Sequence, residues 1–493
     1  MHHFTPLSVL AFIVSTWFVV EWIIRIIAVF IVPKNRKPSS GTAWLIVIFL
    51  SPTLGIIAYF VLGSPKLPAS RRLAQKTLDH FISETLAMFK RDRDSSKLLS
   101  AVPPAKYQSL AKLSESLSRL PVFGGNDIEI LPEYNEVIDR IITDIDAAKH
   151  SVQLEYFIIA LDTTTEPLFD ALARAVKRGI IVRVMYDALS VRKFPNLKKM
   201  KQRFTADGVL FQPMLPLKFP GKGYMRPDLR NHRKLVIIDG RIGYTGSQNL
   251  VQRDYHRKDE IYYDELVVRV QGPIVMQLAA LFLTDWFSET GVLLDYEAAN
   301  IIPASISASG HSLAQVLPSG PGYEDENNLK LFTSLIHLAE HKIVITNPYF
   351  VPEESLITAI TSAAKRGVDV TMINSEVIDQ WMVGHAQRSF YEILLHAGVK
   401  IYWYKAPILL HSKFITVDDD VATIGSSNLD IRSFELDLEV TLISYDRKTV
   451  EELRNIEASY LRKSKQVTLA QWQKRSRRQR LLENIARLTS ALQ

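Results

Sequence analysis

The sequence predicts a duplicated α/β protein: two similar lobes around one shared central site, carried behind two apolar spans. Three observations predict it. Two long apolar stretches open the chain. A strand–helix–strand plan occurs twice further on. And "RNHRKLVIIDG" (230–240) returns as "LHSKFITVDDD" (410–420), so that His232, Lys234 and Asp239 are matched in spacing by His411, Lys413 and Asp418.

The apolar stretches come first. Residues 7–32 and 42–63 are each long enough to cross a bilayer core, which takes roughly 20 apolar residues. Glu21 and Arg25, the charges in the first, lie four apart, where one helical face lets them pair. Ser51, Pro52 and Gly55 near the middle of the second predict a kink or a shallow hairpin there. Two spans with no small-residue cleavage site between them read as an anchor, not a signal peptide. Lys34, Arg36 and Lys37 lie between the spans, and Lys66, Arg71, Arg72 and Lys76 follow the second. Positive charge on both sides leaves a weak preference for catalytic lobes in the cytoplasm.

The expected organisation is an anchor over 1–63, a polar connector over 64–122, a first lobe over 123–300, a second over 301–463, and a basic amphipathic tail over 464–493. In the first lobe "SVQLEYFII" (151–159) reads as a strand, "TEPLFDALARAVKRG" (165–179) as a helix stopped by glycine, and "IIVRVMYD" (180–187) as the next strand. This is a βαβ unit, which implies a parallel sheet. Residues 342–374 repeat the plan: Tyr156 parallels Tyr349, Gly179 parallels Gly367, and "DGVLFQ" (207–212) parallels "AGVKIY" (397–402). Each histidine motif is then followed by glycine and serine, in "YTGSQNL" (244–250) and "TIGSSNL" (423–429).

The chain of 493 residues carries a net charge of +7 and no cysteine. Thiolate metal sites, disulfides and cysteine nucleophiles are therefore excluded, and the basic balance suits an anionic partner. On a strand, residues two apart face the same way, so His232 and Lys234 point together. Two lobes face to face would gather two histidines, two lysines, two serines and two asparagines. Such a donor-rich cleft suits a phosphate, whose oxygens gain charge in the transition state. One histidine can attack phosphorus while the other protonates the leaving oxygen. A carboxylate on each Nδ1 would fix the tautomer. Asp264 and Glu439 are the candidates, at 32 and 28 residues from their histidines. Asp239 and Asp418 read as residues holding the motif turn.

The paired H-x-K-x-x-x-x-D motifs resemble those of the phospholipase D superfamily. Within it the chain resembles the bacterial cardiolipin synthase family. "AWL" in the second span, "DLRNHRK" at the first motif, "VRVQGP" after it, "NPYFVP" opening the second half and "LLENIARL" near the end carry that narrower likeness. The resemblance implies two phospholipase D-like lobes. It implies an enzyme that joins two phosphatidylglycerols into cardiolipin and releases glycerol, with no metal or other cofactor. His232, backed by Asp264, would be the nucleophile and form a phosphohistidine. His411, backed by Glu439, would be the general acid and base, although the near-symmetry of the motifs does not itself decide between them. The catalytic set is then His232, Lys234, Asp239, His411, Lys413 and Asp418. Lys234, Lys413, Asn249 and Asn428 would hold the phosphate with Ser247 and Ser426 assisting. Two displacements predict retained configuration at phosphorus.

The expected setting is the bacterial inner membrane, multi-pass, with phospholipid as substrate, no nucleic acid, and no oligomer required by the site. A membrane phospholipase D hydrolase and a phosphodiesterase or nuclease are the alternatives that the same motifs allow. A scaffold without catalysis would have lost its histidines. The acceptor stays open between a second phosphatidylglycerol and phosphatidylethanolamine. "GKGYMRPDLR" (221–230), with Lys222, Arg226 and Arg230, is either a headgroup contact or a solvated loop. The tail, with Leu481, Leu482, Ile485, Leu488 and Leu492 at helical spacing, is either an interfacial helix or one packed on the lobes.

Overall fold

The computed structural model describes residues 6–34, 37–64, 66–73, 96–98, 101–217, 225–294 and 308–488. Much of the expected connector, the expected lobe boundary at 300/301, Lys222 and Leu492 lie outside them. The apolar helices up to Lys66 belong to one compact unit, together with Met225 and Arg226, and the body, Leu67–Leu217 with the chain from Pro227 onward, forms another.

The first apolar stretch is the helix Pro6–Ile31, of which Phe12–Ile31 is long and apolar enough to span a membrane. Its large side chains, Trp17, Phe18, Trp22 and Phe30 among them, are exposed. Glu21 and Arg25 pair at 3.6 Å, as their spacing predicts. The second expected span is not one helix. It breaks at Ser51 into Pro38–Leu50 and Pro52–Leu62, each too short to cross alone. Proline has no N–H to continue the first helix, so a new one starts with Pro52 at its head. At the bend a Cβ on Gly55 would stand 2.7 Å from the Ile48 Cα, so only glycine lets the two helices approach.

The body is built on one large sheet. In the first half, strands 151–156, 181–187 and 210–214 run parallel, and 234–238, 242–246 and 267–271 continue the sheet antiparallel. The second half repeats this order with 342–346, 369–375 and 400–404, then 414–417, 421–425 and 437–444. Strands 123–131 and 312–319 pair antiparallel at the centre and join the halves. Runs such as "KLVII" and "FITV" are buried throughout, as befits strands covered on both faces. Each half keeps its own apolar core. One gathers Ile141, Leu172 and Val236; the other gathers Leu335, Ile360 and Ile415. The helix Gln108–Ser118, expected as part of a connector, adds Leu110 and Ala111 to the second core.

The glycine stops are where the sequence puts them. After Glu166–Lys177, Gly179 has φ +84°, and after Glu354–Lys365, Gly367 has φ +94°. In both, the next N–H reaches back to the helix: Ile180 to the Ala175 carbonyl and Val368 to that of Ala363, each at 3.1 Å. Tyr156 and Tyr349 are not counterparts. Ile159 bridges to Leu250 as Phe350 pairs with Leu429, which aligns Tyr349 with Ile158.

Two glycines separate conformational from steric cost. A Cβ on Gly367 would meet nothing within 4 Å, so Gly367→Ala is expected to cost about 1–2 kcal/mol through φ alone. A Cβ on Gly425 would lie 2.2 Å from the Val440 carbonyl oxygen, in backbone that cannot give way. Gly425→Ala is expected to cost about 3 kcal/mol or more. Urea unfolding of the two variants checks the order.

Candidate active site

His232 and His411 each stand just before the strand that carries their lysine, Lys234–Ile238 and Phe414–Val417. A short strand precedes each histidine, and each pairs in parallel with the other half. Arg230–Asn231 pairs with the start of Asp437–Ser444, and Ile408–Leu410 pairs with Tyr262–Asp264. The histidine N–H groups close these pairings: His232 donates to the Leu438 carbonyl at 2.8 Å and His411 to that of Asp264 at 2.7 Å.

The residue after each of those carbonyls is a buried glutamate. His232 Nδ1 lies 2.9 Å from Glu439 Oε1, and His411 Nδ1 lies 2.8 and 2.9 Å from the two Glu265 oxygens. The expected partners are thus corrected twice. Glu439 serves His232, not His411, and Asp264 orients neither histidine. The Asp264 carboxylate instead takes Arg253 and, at 2.6 Å, the Tyr404 hydroxyl. Glu265 is the residue that the sequence reading missed. Its signal was available: Glu265 and Glu439 both directly precede an apolar strand run, "LVV" and "VTL".

With Nδ1 facing a glutamate, Nε2 of each ring is the nitrogen that no carboxylate engages. Burial pushes His232 down to about 4, against the opposing pull of Glu439. Burial lowers His411 as well, against Glu265. Lys234 and Lys413 each donate to the backbone carbonyl of their own histidine, at 2.7 and 2.8 Å. Lys413 Nζ also lies 3.1 Å from both ring nitrogens of His411. Burial lowers Lys234 to about 8 and Lys413 to about 7. Burial alone would raise the two glutamates; the imidazoles beside them hold both below the usual range. The halves act on one another: the charge of Lys413 lowers His232 and that of Lys234 lowers His411.

Other expected site residues take supporting places. The Ser247 hydroxyl donates to the Leu266 carbonyl and accepts from its N–H, at 3.1 and 2.9 Å. Ser426 donates to Glu439 and accepts from the Val440 N–H at 3.0 Å. The serines thus hold the glutamate segments; neither is committed to a phosphate. Asn249 accepts from the Ile158 N–H at 3.2 Å, while Asn428 keeps a buried Oδ1 without a partner. Asp239 and Asp418 lie away from the histidines, at the far end of the motif strand. Asp239 accepts from the N–H groups of Lys149, His150 and Ser151, and Asp418 from those of Glu340, His341 and Lys342. Both sit at positive φ, +52° and +49°. They pin each motif strand to its neighbour. Arg230 is buried on Asp187, at 3.1 Å, which removes it from any headgroup contact.

The same two motifs frame the comparisons with known proteins. A family described as "Cardiolipin synthase, PLD-like domain" matches residues 141–286 and 332–459, and one described as "Phospholipase_D-nuclease N-terminal" matches 22–64. Cardiolipin synthase A of Proteus mirabilis is 33% identical over 97% of this chain and 99% of its own length. The chain belongs to the cardiolipin synthase family. Cardiolipin synthase A of Wigglesworthia glossinidia brevipalpis is 31% identical over 98% of both chains. Among solved structures, phosphatidylserine synthase of Haemophilus influenzae matches with a TM-score of 0.59 at 17% identity, over 77% of this chain and 98% of its own. That likeness speaks for the fold. The resemblance read from the paired motifs is therefore borne out at the level of the family.

Asp239→Ala and Asp418→Ala are each expected to lower stability by about 1–3 kcal/mol, because several backbone N–H groups lose their acceptor. A fall in the thermal midpoint, with residual turnover per folded molecule near that of the parent, checks that their role is structural.

Proposed function

We propose that the chain joins two phosphatidylglycerols into cardiolipin and glycerol through a phosphohistidine. One observation carries the reading: two buried histidines, each held at Nδ1 by a glutamate of the other half, stand beside two buried lysines. In the first step the neutral Nε2 of His232 attacks phosphorus and the bond to the glycerol oxygen breaks. His411, protonated, gives its Nε2 proton to that oxygen. In the second step the headgroup hydroxyl of another phosphatidylglycerol returns a proton to His411 and attacks phosphorus. The P–N bond breaks and cardiolipin leaves. Lys234 and Lys413 supply the charge that the phosphate oxygens need. Depression of His232 to about 4 keeps it neutral and nucleophilic at neutral pH. The negative phosphodiester raises the proton affinity of His411 as it binds, which arms the acid when substrate is present.

The anchor belongs to the same reading. The exposed apolar helix Phe12–Ile31, followed by the broken pair Pro38–Leu50 and Pro52–Leu62, suits a bilayer. It would hold the body beside its lipid on the cytoplasmic face, where Lys66, Arg71 and Arg72 follow the last apolar helix.

The first test incubates purified protein with phosphatidylglycerol in mixed micelles and identifies products by mass spectrometry. Cardiolipin and glycerol, lost in His232→Ala and His411→Ala, are expected. Phosphatidic acid alone would make the chain a hydrolase, and cleavage of nucleic acid without lipid turnover would overturn the reading. A phosphatidyl ester with a nitrophenol leaving group needs no general acid. With it, His411→Ala is expected to accumulate an acid-labile phosphatidyl label on His232. A label on His411 in His232→Ala would exchange the two roles.

Glu265→Gln and Glu439→Gln are each expected to lower turnover about 100-fold or more, and Asp264→Asn less than about tenfold. The pH profile separates these cases. His411 and Lys413 must be protonated, and burial lowers His411 below the ordinary imidazole range and Lys413 to about 7, so kcat/KM is expected to fall already below about pH 7 as the pH rises. Glu265 raises the proton affinity of both groups. Its removal moves the descending limb to lower pH, whereas Asp264→Asn leaves that limb nearly in place.

A further inference from the structure

The two histidines have unlike surroundings. His232 meets the edge of Phe157 at 4.8 Å, an apolar neighbour that also lies under Lys234. His411 meets two tyrosines, Tyr263 at 5.4 Å and Tyr349 at 6.0 Å. Both phenols converge on one carboxylate. Tyr263 donates to Asp379 Oδ2 at 3.0 Å, and Tyr349 donates to Oδ1. Tyr255 stacks on Tyr263 at 4.4 Å, and His256 lies 4.5 Å from Tyr255. The charge of Asp379 acts on His256.

This arrangement has no counterpart at the other histidine. Tyr349 aligns with Ile158, and Tyr263 aligns with Asp437, which is buried and tied to Arg432 at 3.2 Å. Nor does the phosphate chemistry use it. Phosphate oxygens want donors, and Asp379 is an acceptor that repels them. Glu265 and Glu439 are committed to the histidines, but Asp379 is only partly buried. Each of its oxygens has taken one phenol and keeps accepting capacity for another hydroxyl.

An alcohol that leaves and enters through His411 has this chemistry. Glycerol carries hydroxyls beside the one that reacts, and each must donate to something once water is displaced. We propose that Asp379, fixed by Tyr263 and Tyr349, is the subsite for the polyol part of that alcohol. The inference rests on the phosphatidyl transfer proposed above and adds what selects the acceptor. It also gives the near-symmetric site a direction: an apolar edge at His232 and a hydroxyl-binding edge at His411.

The test measures transfer of the phosphatidyl group from phosphatidylglycerol to glycerol, ethanol and ethanolamine, using labelled acceptors and the full chain in mixed micelles. Wild-type protein is expected to prefer glycerol. Asp379→Asn is expected to lower the glycerol-to-ethanol ratio by about tenfold or more, through a higher KM for glycerol. Tyr349→Phe, which removes one oxygen, is expected to lower it by a smaller factor and serves where Asp379→Asn fails to fold. An unchanged ratio in folded variants that still transfer would overturn the subsite and leave the transfer reading standing. A wild-type preference for ethanolamine that Asp379→Asn abolishes would also overturn it, in favour of an ammonium site. No transfer by wild-type protein to any alcohol would remove the transfer reading, and this inference with it.

Discussion

Each half of the body completes the other's histidine, and most of the site's geometry depends on that exchange. The parallel pairing of Arg230–Asn231 with Asp437–Leu438, and of Leu410 with Asp264, fixes two histidines against two glutamates. An unpaired charge at that depth is costly, so the two glutamates and two lysines must be buried together. The serines and the strand N–H groups follow from the same need. Ser426 donates to Glu439, and its own position is held by the Val440 N–H. If either short strand slipped, a glutamate would lose its imidazole and a lysine its nearest negative charge. The pairing is thus at once a folding constraint and the device that sets the proton affinities of the site.

The symmetry stops where the chemistry needs direction. The position after His232 is Arg233, which is buried, donates from Nε to the Glu439 carbonyl at 3.1 Å and pairs with Asp285. The position after His411 is Ser412, whose hydroxyl lies 3.0 Å from that of Tyr460. A guanidinium thus stands behind one pair and a hydroxyl network behind the other. Near Arg233, burial and the charge of Asp285 push Glu155 well above the usual carboxylate range. A two-step exchange benefits from that inequality, because attack on phosphorus wants a neutral ring and departure of the alcohol wants a protonated one.

The strands, the repeat and the histidine–lysine pairs were legible because they are local: short apolar runs, glycine stops and a motif written twice. The glutamates were not, because their partners lie 207 and 146 residues away along the chain and are chosen by sheet pairing between halves. A carboxylate one residue off faces the opposite side of its strand. Hence Asp264 turns to Arg253 and Tyr404 while Glu265 turns to His411. The bonds of Ser247 and Ser426 to the glutamate segments were hidden for a related reason. A Gly-Ser turn looks the same in sequence whether its hydroxyl serves a ligand or the neighbouring strand. In the anchor, the break expected from Ser51, Pro52 and Gly55 is where the sequence puts it; what hydropathy alone did not show is that it leaves two helices each too short to cross.

Duplication within one chain explains why the site can be both shared and unequal. Two identical subunits meeting across a two-fold axis would give both histidines the same neighbours, and any residue added beside one would appear beside the other. Two covalently joined halves escape that restriction. Phe157 can stay at the first histidine while Tyr263 and Tyr349 flank the second. The structural core, with its two aspartate-pinned motif strands and two glutamate-held rings, must remain symmetric because the same backbone pairing builds it twice. The side chains at its edge carry no such requirement, and there the two halves differ most.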